Sequence, residues 1–426
     1  MIRRFLKDAL IYALPLFLSR AIGLILLPIY TRQLGPEDFG FIEFITASSA
    51  LLLLILPLEI NQAVARFLPE SNDIKQEKLI ISSALCFTVL VFGIFGGLAY
   101  LLRFQIFDIV NMPKSNIHYM PLICISFLLS ALINLLQLQF RFSSQSITSV
   151  SISLAVVLSN LALVLYFTKT AKLGIEQYLQ SQILSTLIGV FIGLLMLSRK
   201  YGYLFIAINA HTLRKLLSFS LPIVISSIGV ALTALADKLI IGSYLGLTDL
   251  GYYGAAARIA AIVGLGFYVI SSSITPIVYR EHSKPETKNL IAKIINVTSL
   301  LMFIFLSFVY FYSLEIISFL AGPYFLSGAK YIFYLTVSAI FFNFYIFFLG
   351  MDIAKNTKLL SKINLFSGIL NLSLSLLLVP TFGVWGIISS GLLANAIRIF
   401  LYIYFSQKFY PLSLKNFTAF KFWKFN

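Results

Sequence analysis

Seven ionisable side chains fall inside stretches that are otherwise apolar: Arg20, Glu43, Glu59, Asp237, Lys238, Arg258 and Arg398. A charge at the centre of a bilayer costs at least about 2.5–3.5 kcal/mol even on the lenient insertion scale, so such groups face a hydrated cavity or a partner. Cations in that position suit an anionic cargo, and a guanidinium in particular offers paired, planar donors to phosphate. Arg20, Lys238, Arg258 and Arg398 therefore form the candidate substrate-binding set. Glu43, Glu59 and Asp237 are the candidate counter-ion or coupling groups. Structural ion pairs between helices, or side chains snorkelling to the headgroups, account for the same residues without any cargo.

At about 1.5 Å of rise per residue, Arg20 sits near mid-membrane. Glu43, Asp237, Lys238 and Arg258 fall in the outer half, with Glu59 and Arg398 toward the cytoplasmic side. Asp237 and Lys238 are consecutive, point about 100° apart on a helix, and cannot turn to one partner together. Nothing in the sequence assembles a catalytic or metal centre: Cys86 and Cys124 lie far apart inside apolar runs and read as packing residues, and His118, His211 and His282 map to loops or their edges.

The elements that position these charges are long apolar runs. A span needs about 20 mostly apolar residues, and twelve candidates lie near 9–31, 41–62, 79–101, 120–140, 146–167, 178–197, 216–244, 251–273, 291–312, 331–349, 361–379 and 385–405. Composition agrees: 59% hydrophobic and 11% charged, with a mean hydropathy of +0.93, place the chain in the membrane class. An all-α integral membrane protein of about 12 helices follows. Barrel strands, which are short and alternate in polarity, do not fit.

The net charge of +16 would suggest nucleic acid in a soluble protein, but its distribution gives topology instead. With the N terminus inside, 22 Lys and Arg fall in cytoplasmic segments and 6 in the opposite loops, which predicts both termini in the cytoplasm. The run behind Arg3, Arg4 and Lys7 exceeds a signal-peptide core and no small-residue cleavage pattern follows, so it reads as a retained first helix.

The chain also repeats itself at an offset of 207–211 residues. Leu14-Pro15-x-x-x-Ser19 recurs as Leu221-Pro222-x-x-x-Ser226, and Leu34-Gly35-x-x-Asp38-x-Gly40 as Leu245-Gly246-x-x-Asp249-x-Gly251. Asn160 corresponds to Asn371, and Ser198-x-Lys200 to Ser406-x-Lys408. An offset of six spans preserves orientation, so the repeat is parallel. It predicts two six-helix lobes, 1–200 and 214–410, joined by a cytoplasmic linker 201–213 and followed by a basic, aromatic tail 411–426 that suits interfacial anchoring. The Leu-Gly-x-x-Asp-x-Gly segments read as turns, with Gly35 left-handed, Pro36 stopping one helix and Asp38 starting the next. Pro15 and Pro222 read as kinks. Gly93-x-x-x-Gly97, Gly189-x-x-x-Gly193 and Gly242-x-x-x-Gly246 read as close-packing seams within lobes.

Leu18-Ser19-Arg20-x-x-Gly23 followed by Leu34-Gly35-Pro36-Glu37-Asp38-Phe39-Gly40 resembles the opening of bacterial polysaccharide exporters and Wzx-type O-antigen flippases of the MOP superfamily. Asp237-Lys238-Leu239-Ile240-Ile241-Gly242, with Gly251-Tyr252-Tyr253 and Arg258, resembles the start of that family's second lobe. Val379-Pro380-Thr381-Phe382-Gly383-Val384-Trp385-Gly386 is similar to the connection between its last two helices. The resemblance implies a MATE-like fold and a carrier, not an enzyme, in the bacterial inner membrane. That carrier moves an undecaprenyl-diphosphate-linked oligosaccharide to the periplasmic leaflet by alternating access, with Arg20 as a contact for the diphosphate or an acidic sugar. It implies membrane lipids as partners, a polysaccharide polymerase and chain-length machinery as further ones, no nucleic acid and no bound cofactor. Coupling to Na⁺ or H⁺ is compatible with it and not fixed by the residues.

An inside-negative potential itself drives an anion outward by about 2.3 kcal/mol per charge per 100 mV. Three other readings compete. A lipid II flippase is disfavoured by Leu24-Ile25-Leu26-Leu27, where a second arginine is expected; a MATE-like cation exporter by four basic against three acidic in-span groups; and a membrane polymerase by external loops of no more than about 18 residues.

Overall fold

The computed structural model describes residues 23, 25–71, 73–143, 145–170, 173–202, 209–281, 284–354 and 356–412. Arg20, Pro15, His282, most of the first proposed span, part of the linker and the tail from 413 onward lie outside them. The helices are α1 (25–33), α2 (Pro36–Ile55), α3 (Ile60–Phe67), α4 (Ile74–Leu101), α5 (Arg103–Ile109), α6 (Met120–Phe142), α7 (Ser146–Thr170), α8 (Ile175–Tyr201) and α9 (Ala210–Tyr244). There follow α10 (Leu247–Ala260), α11 (Ile262–Glu281), α12 (Pro285–Phe311), α13 (Ser313–Ala321), α14 (Ala329–Asn343), α15 (Gly350–Ile353), α16 (Thr357–Phe382) and α17 (Val384–Phe409). Short 3-10 turns at Lys114–Tyr119, Pro323–Gly328 and Phe344–Phe347 complete the order, and no strand occurs among the described residues.

Ten helical segments among the described residues are long and apolar enough to cross a membrane. The proposed seventh span lies within the 35-residue α9, which contains Pro222. With the apolar run that opens the chain, this is the expected all-helical membrane protein of about 12 spans. Helices are the form such runs must take, because a bilayer offers no water to backbone groups left unpaired. Hydroxyls obey the same rule inside their own helices: Thr31 donates to the Leu27 carbonyl at 2.8 Å, Thr88 to Ala84 at 2.8 Å, Thr336 to Ile332 at 2.7 Å and Ser367 to Ile363 at 2.8 Å.

By packing, the chain forms two units, Met1–Gly251 and Tyr252–Asn426. This division is one of contacts and places α9 with the first unit, whereas the 200/214 boundary marks sequence correspondence. In the first unit α2, α3 and α4 pack on α9, and α6, α7 and α8 pack on one another around Ile133, Leu136, Phe140, Ile152 and Leu197. In the second, α16 and α14 pack on α17, around Phe267, Ile340, Phe347, Met351 and Tyr402.

The repeat is visible in the elements. A long helix (α4 or α12) is followed by a short one (α5 or α13), a 3-10 turn opening at Lys114 or Pro323, the next span (α6 or α14) and a final helical pair (α7–α8 or α16–α17).

Two expectations need correction. Gly35 is extended, at φ −69° and ψ 169°, because it precedes Pro36, whose ring disfavours the helical regions for the residue before it. Gly246 precedes a leucine instead and takes φ +99°. The glycine seams also differ. Gly189 meets Val156 and Ile133, Gly193 meets Leu136, and Gly242 meets Phe44 although its mate Gly246 has nothing within 4 Å of where a Cβ would stand; Gly93 and Gly97 both have nothing there. That pair is not a packing seam within the unit.

Candidate substrate-handling sites

Two ionisable clusters stand out, one in each unit. In the first, Lys238 of α9 donates to the Glu43 carboxylate of α2 at 2.5 Å. Glu43 is completely enclosed, while the Lys238 side chain keeps 23% of its surface exposed. Both lie about 10 Å inside their helix ends, counted at about 1.5 Å per residue from Pro36 and Tyr244. Consecutive Asp237 is half-buried and also engaged, as is Arg258 of α10.

The second cluster surrounds Arg398 of α17, which is 7% exposed. Its Nε donates to Asn364 Oδ1 of α16 at 3.0 Å and its Nη1 to the Phe342 carbonyl at 3.0 Å. The guanidinium lies over the rings of Phe342, Tyr345 and Tyr402, at 4.5, 5.0 and 5.2 Å. Tyr402 donates its hydroxyl to the same Asn364 oxygen at 3.2 Å. Every partner is neutral: among the described residues no carboxylate pairs with Arg398. Cation–π contacts and neutral acceptors make this burial tolerable without cancelling the charge.

Glu59 sits apart from both clusters. It is 5% exposed and lies at the break between α2 and α3, where Leu58 and Glu59 take φ of +50° and +54°. Left-handed backbone costs a residue with a Cβ about 1–2 kcal/mol, and it splits the second span into two helices. Elsewhere in the first unit Asn160 accepts from Tyr30 at 3.4 Å and donates to Ser185 at 3.4 Å. No group of three or more metal-ligating side chains is found among the described residues. Cys86 and Cys124 are free thiols.

Of the sequence-derived candidates, the fold brings together Glu43 and Lys238. The neighbours of Arg398 were missed, although the four-residue spacing to Tyr402 puts both on one helical face. Also missed was a contact between the two Leu-Gly-x-x-Asp-x-Gly motifs. A Cβ on Gly40 would fall on the Leu247 carbonyl, and one on Gly251 would fall on the Pro36 carbonyl. Pro36 and Leu247 are equivalent helix starts, so the contact is reciprocal.

Membrane-crossing helices that follow one plan twice, with cations kept inside them, define a multi-pass membrane protein. Residues 5–282, more than half of the chain, match the family described as Polysaccharide biosynthesis protein, and the chain belongs to that family. It is 22% identical over 278 residues to Lsg locus putative protein 1 of Haemophilus influenzae, covering 64% of this chain and 65% of that one; the match thus spans just under two thirds of that relative.

In fold it resembles the inward-facing conformation of a multidrug resistance MATE family transporter of the MOP superfamily, with a TM-score of 0.73 at 13% identity, covering 96% of this chain and 100% of that one. It also resembles the lipid II flippase MurJ in an inward closed conformation, with a TM-score of 0.72 at 16% identity, covering 93% and 87%. Both likenesses are likenesses of fold.

Proposed function

We propose that this protein moves an undecaprenyl-diphosphate-linked oligosaccharide, an O-antigen or related repeat unit, from the cytoplasmic to the periplasmic leaflet of the bacterial inner membrane. Both termini are cytoplasmic in this reading, which rests on the charge bias of the loops. The observation that carries it is Arg398: a buried guanidinium in a bilayer-crossing helix, held only by neutral groups, leaves a positive field for an anion to answer. Family membership supports the sugar part of the cargo.

Arg20 is the further contact for the diphosphate, with Lys238 and Arg258 lining the route. The headgroup passes through a polar interior while its lipid tail stays in the bilayer, since roughly 30 Å of hydrocarbon bars it otherwise. The protein binds and carries, and does no covalent chemistry. The membrane potential or a Na⁺ or H⁺ gradient drives the cycle. Glu59 is the acidic group set apart for coupling, and a polymerase with its chain-length machinery receives the product.

The test is a flipping assay in proteoliposomes with undecaprenyl-diphosphate oligosaccharide, comparing the wild type with Arg20→Ala and Arg398→Met after equal insertion is verified. Protein-dependent exposure of the sugar, lost in the variants, supports the reading. Efflux of organic cations with no sugar exposure, under an imposed potential or gradient, would replace it with a MATE-like exporter.

A further inference from the structure

In the first unit Glu77 stands fourth in α4. Its Oε2 accepts from Lys200 Nζ at 3.0 Å and from the hydroxyl of Tyr201, the residue that closes α8. One carboxylate thus serves two donors and ties the start of α4 to the end of α8. The Lys200 ammonium also lies over the Tyr201 ring at 4.6 Å.

In the second unit a cation holds the corresponding place. At the offset of 211 that joins Leu34 to Leu245 and Asn160 to Asn371, Glu77 corresponds to Lys288, again fourth in its helix, α12. The Lys288 ammonium lies at 4.9 Å over the ring of Tyr410, the residue that follows α17. Tyr410 is 6% exposed, yet its hydroxyl has no hydrogen-bond partner. Gln407, in the last turn of α17, accepts at Oε1 from the Leu412 amide at 2.9 Å, while its Nε2 is buried without an acceptor. Ile291, one turn on from Lys288, shares a core with Tyr410 and Leu412.

No carboxylate answers these donors. Among the described residues Lys288 forms no ion pair, and Glu281 is taken by Lys284 at 3.4 Å. Glu286 is exposed, and at two residues' distance it faces away from Lys288. Residues 411–426 carry no Asp or Glu. Burial raises the Tyr410 phenol above its ordinary pKa, so it stays protonated and can donate. An ammonium, an amide N–H and a phenol together suit an anion with several acceptor oxygens, and phosphate is such a group. The start of α12 and the end of α17 are ends of bilayer-crossing helices. The donors therefore lie near headgroup depth, where basic pockets between helices take anionic lipids.

We propose that Lys288, Gln407 and Tyr410 form a phosphate-binding site at the membrane surface, in which the anion does for α12 and α17 what Glu77 does for α4 and α8. The phosphodiester of an anionic lipid is the source that this depth favours. The flippase reading enters only in assigning that surface to the cytoplasmic side.

The test is thermal unfolding of the full chain in detergent with phosphatidylglycerol, with zwitterionic phosphatidylcholine, or with inorganic phosphate. Phosphatidylglycerol should raise the unfolding temperature of the wild type by about 3 °C, the shift that mass action gives a chain of this length at about a hundredfold excess over Kd. Phosphatidylcholine should not. Lys288→Met and Tyr410→Phe should lose most of the rise, whereas Lys284→Met, which removes an exposed cation nearby, should keep it. Lys288→Glu, which rebuilds the carboxylate of the first unit, should unfold at a higher temperature than the wild type without lipid and gain nothing from it.

An equal rise with inorganic phosphate, lost in the same variants, would assign the site to free phosphate; a rise with phosphatidylglycerol alone assigns it to lipid. No rise with either, or a rise that survives both Lys288→Met and Tyr410→Phe, would overturn the site. None of these readouts involves transport. Loss of the site leaves the flippase reading standing, and a failure to flip sugar leaves the site standing.

Discussion

Lys238 of α9 donates to Glu43 of α2, a carboxylate that no solvent reaches, across 195 residues of sequence. The two partners are not equally dependent on the bond, because the lysine retains exposed surface and the glutamate has none.

Removing the lysine should therefore cost more than removing the glutamate. Lys238→Met removes the cation bonded to an enclosed carboxylate and should lower stability by about 3–5 kcal/mol, the usual penalty for breaking a buried pair. Glu43→Gln should cost distinctly less, and the double variant should recover much of the loss. Thermal unfolding in detergent of all three, read as a double-mutant cycle, checks the order.

The glycines offer an internal comparison. Gly40→Ala and Gly251→Ala drive a methyl group into a backbone carbonyl that cannot swing away, and each should destabilise by about 1–3 kcal/mol or more. Gly93→Ala and Gly97→Ala meet open space and should be neutral or stabilising by up to about 1 kcal/mol. Equal losses at all four positions would refute the assignment of the first pair to a backbone contact.

At Arg398 the shape of the cation should matter as much as its charge. Arg398→Lys keeps the charge but gives up the planar group that bonds Asn364 and Phe342 while lying over three rings. It should lose most sugar flipping while staying in the membrane at normal abundance. A lysine variant that flips at the wild-type rate would reduce Arg398 to a point charge.

Tyr402→Phe isolates the strut beneath it. The hydroxyl's bond to Asn364 should be worth about 0.5–1.5 kcal/mol, seen in the unfolding temperature, with flipping largely kept because Arg398 still bonds the same oxygen. Loss of flipping without loss of stability would place the phenol on the substrate route.

The sequence displayed the spans because run length and hydropathy need no tertiary information, and it displayed the repeat because Leu34-Gly35 and Leu245-Gly246 keep their spacing to Asp and Gly. It did not display that Gly40 meets Leu247, since a motif read as a turn says nothing of which other turn lies against it. Gly35 was misjudged because the influence of Pro36 on its neighbour outweighs the helix-stopping habit of glycine. The Arg398 setting was half legible: a cation inside a span announces itself by cost, but its neutral partners Asn364 and Phe342 sit on other helices and carry no signal of their own.

The hydroxyls of Thr31, Thr88, Thr336 and Ser367 find acceptors one turn back in their own helices. Asn160 and Arg398 find theirs on different helices, as Glu43 finds its donor, Lys238. During biosynthesis the first kind can enter the bilayer with its helix already satisfied, whereas the second must wait for a neighbour. These polar residues thus record an order of assembly: Glu43 meets Lys238 only once α9 is made, and Arg398, on α17, arrives when Asn364 and Phe342 are already in place.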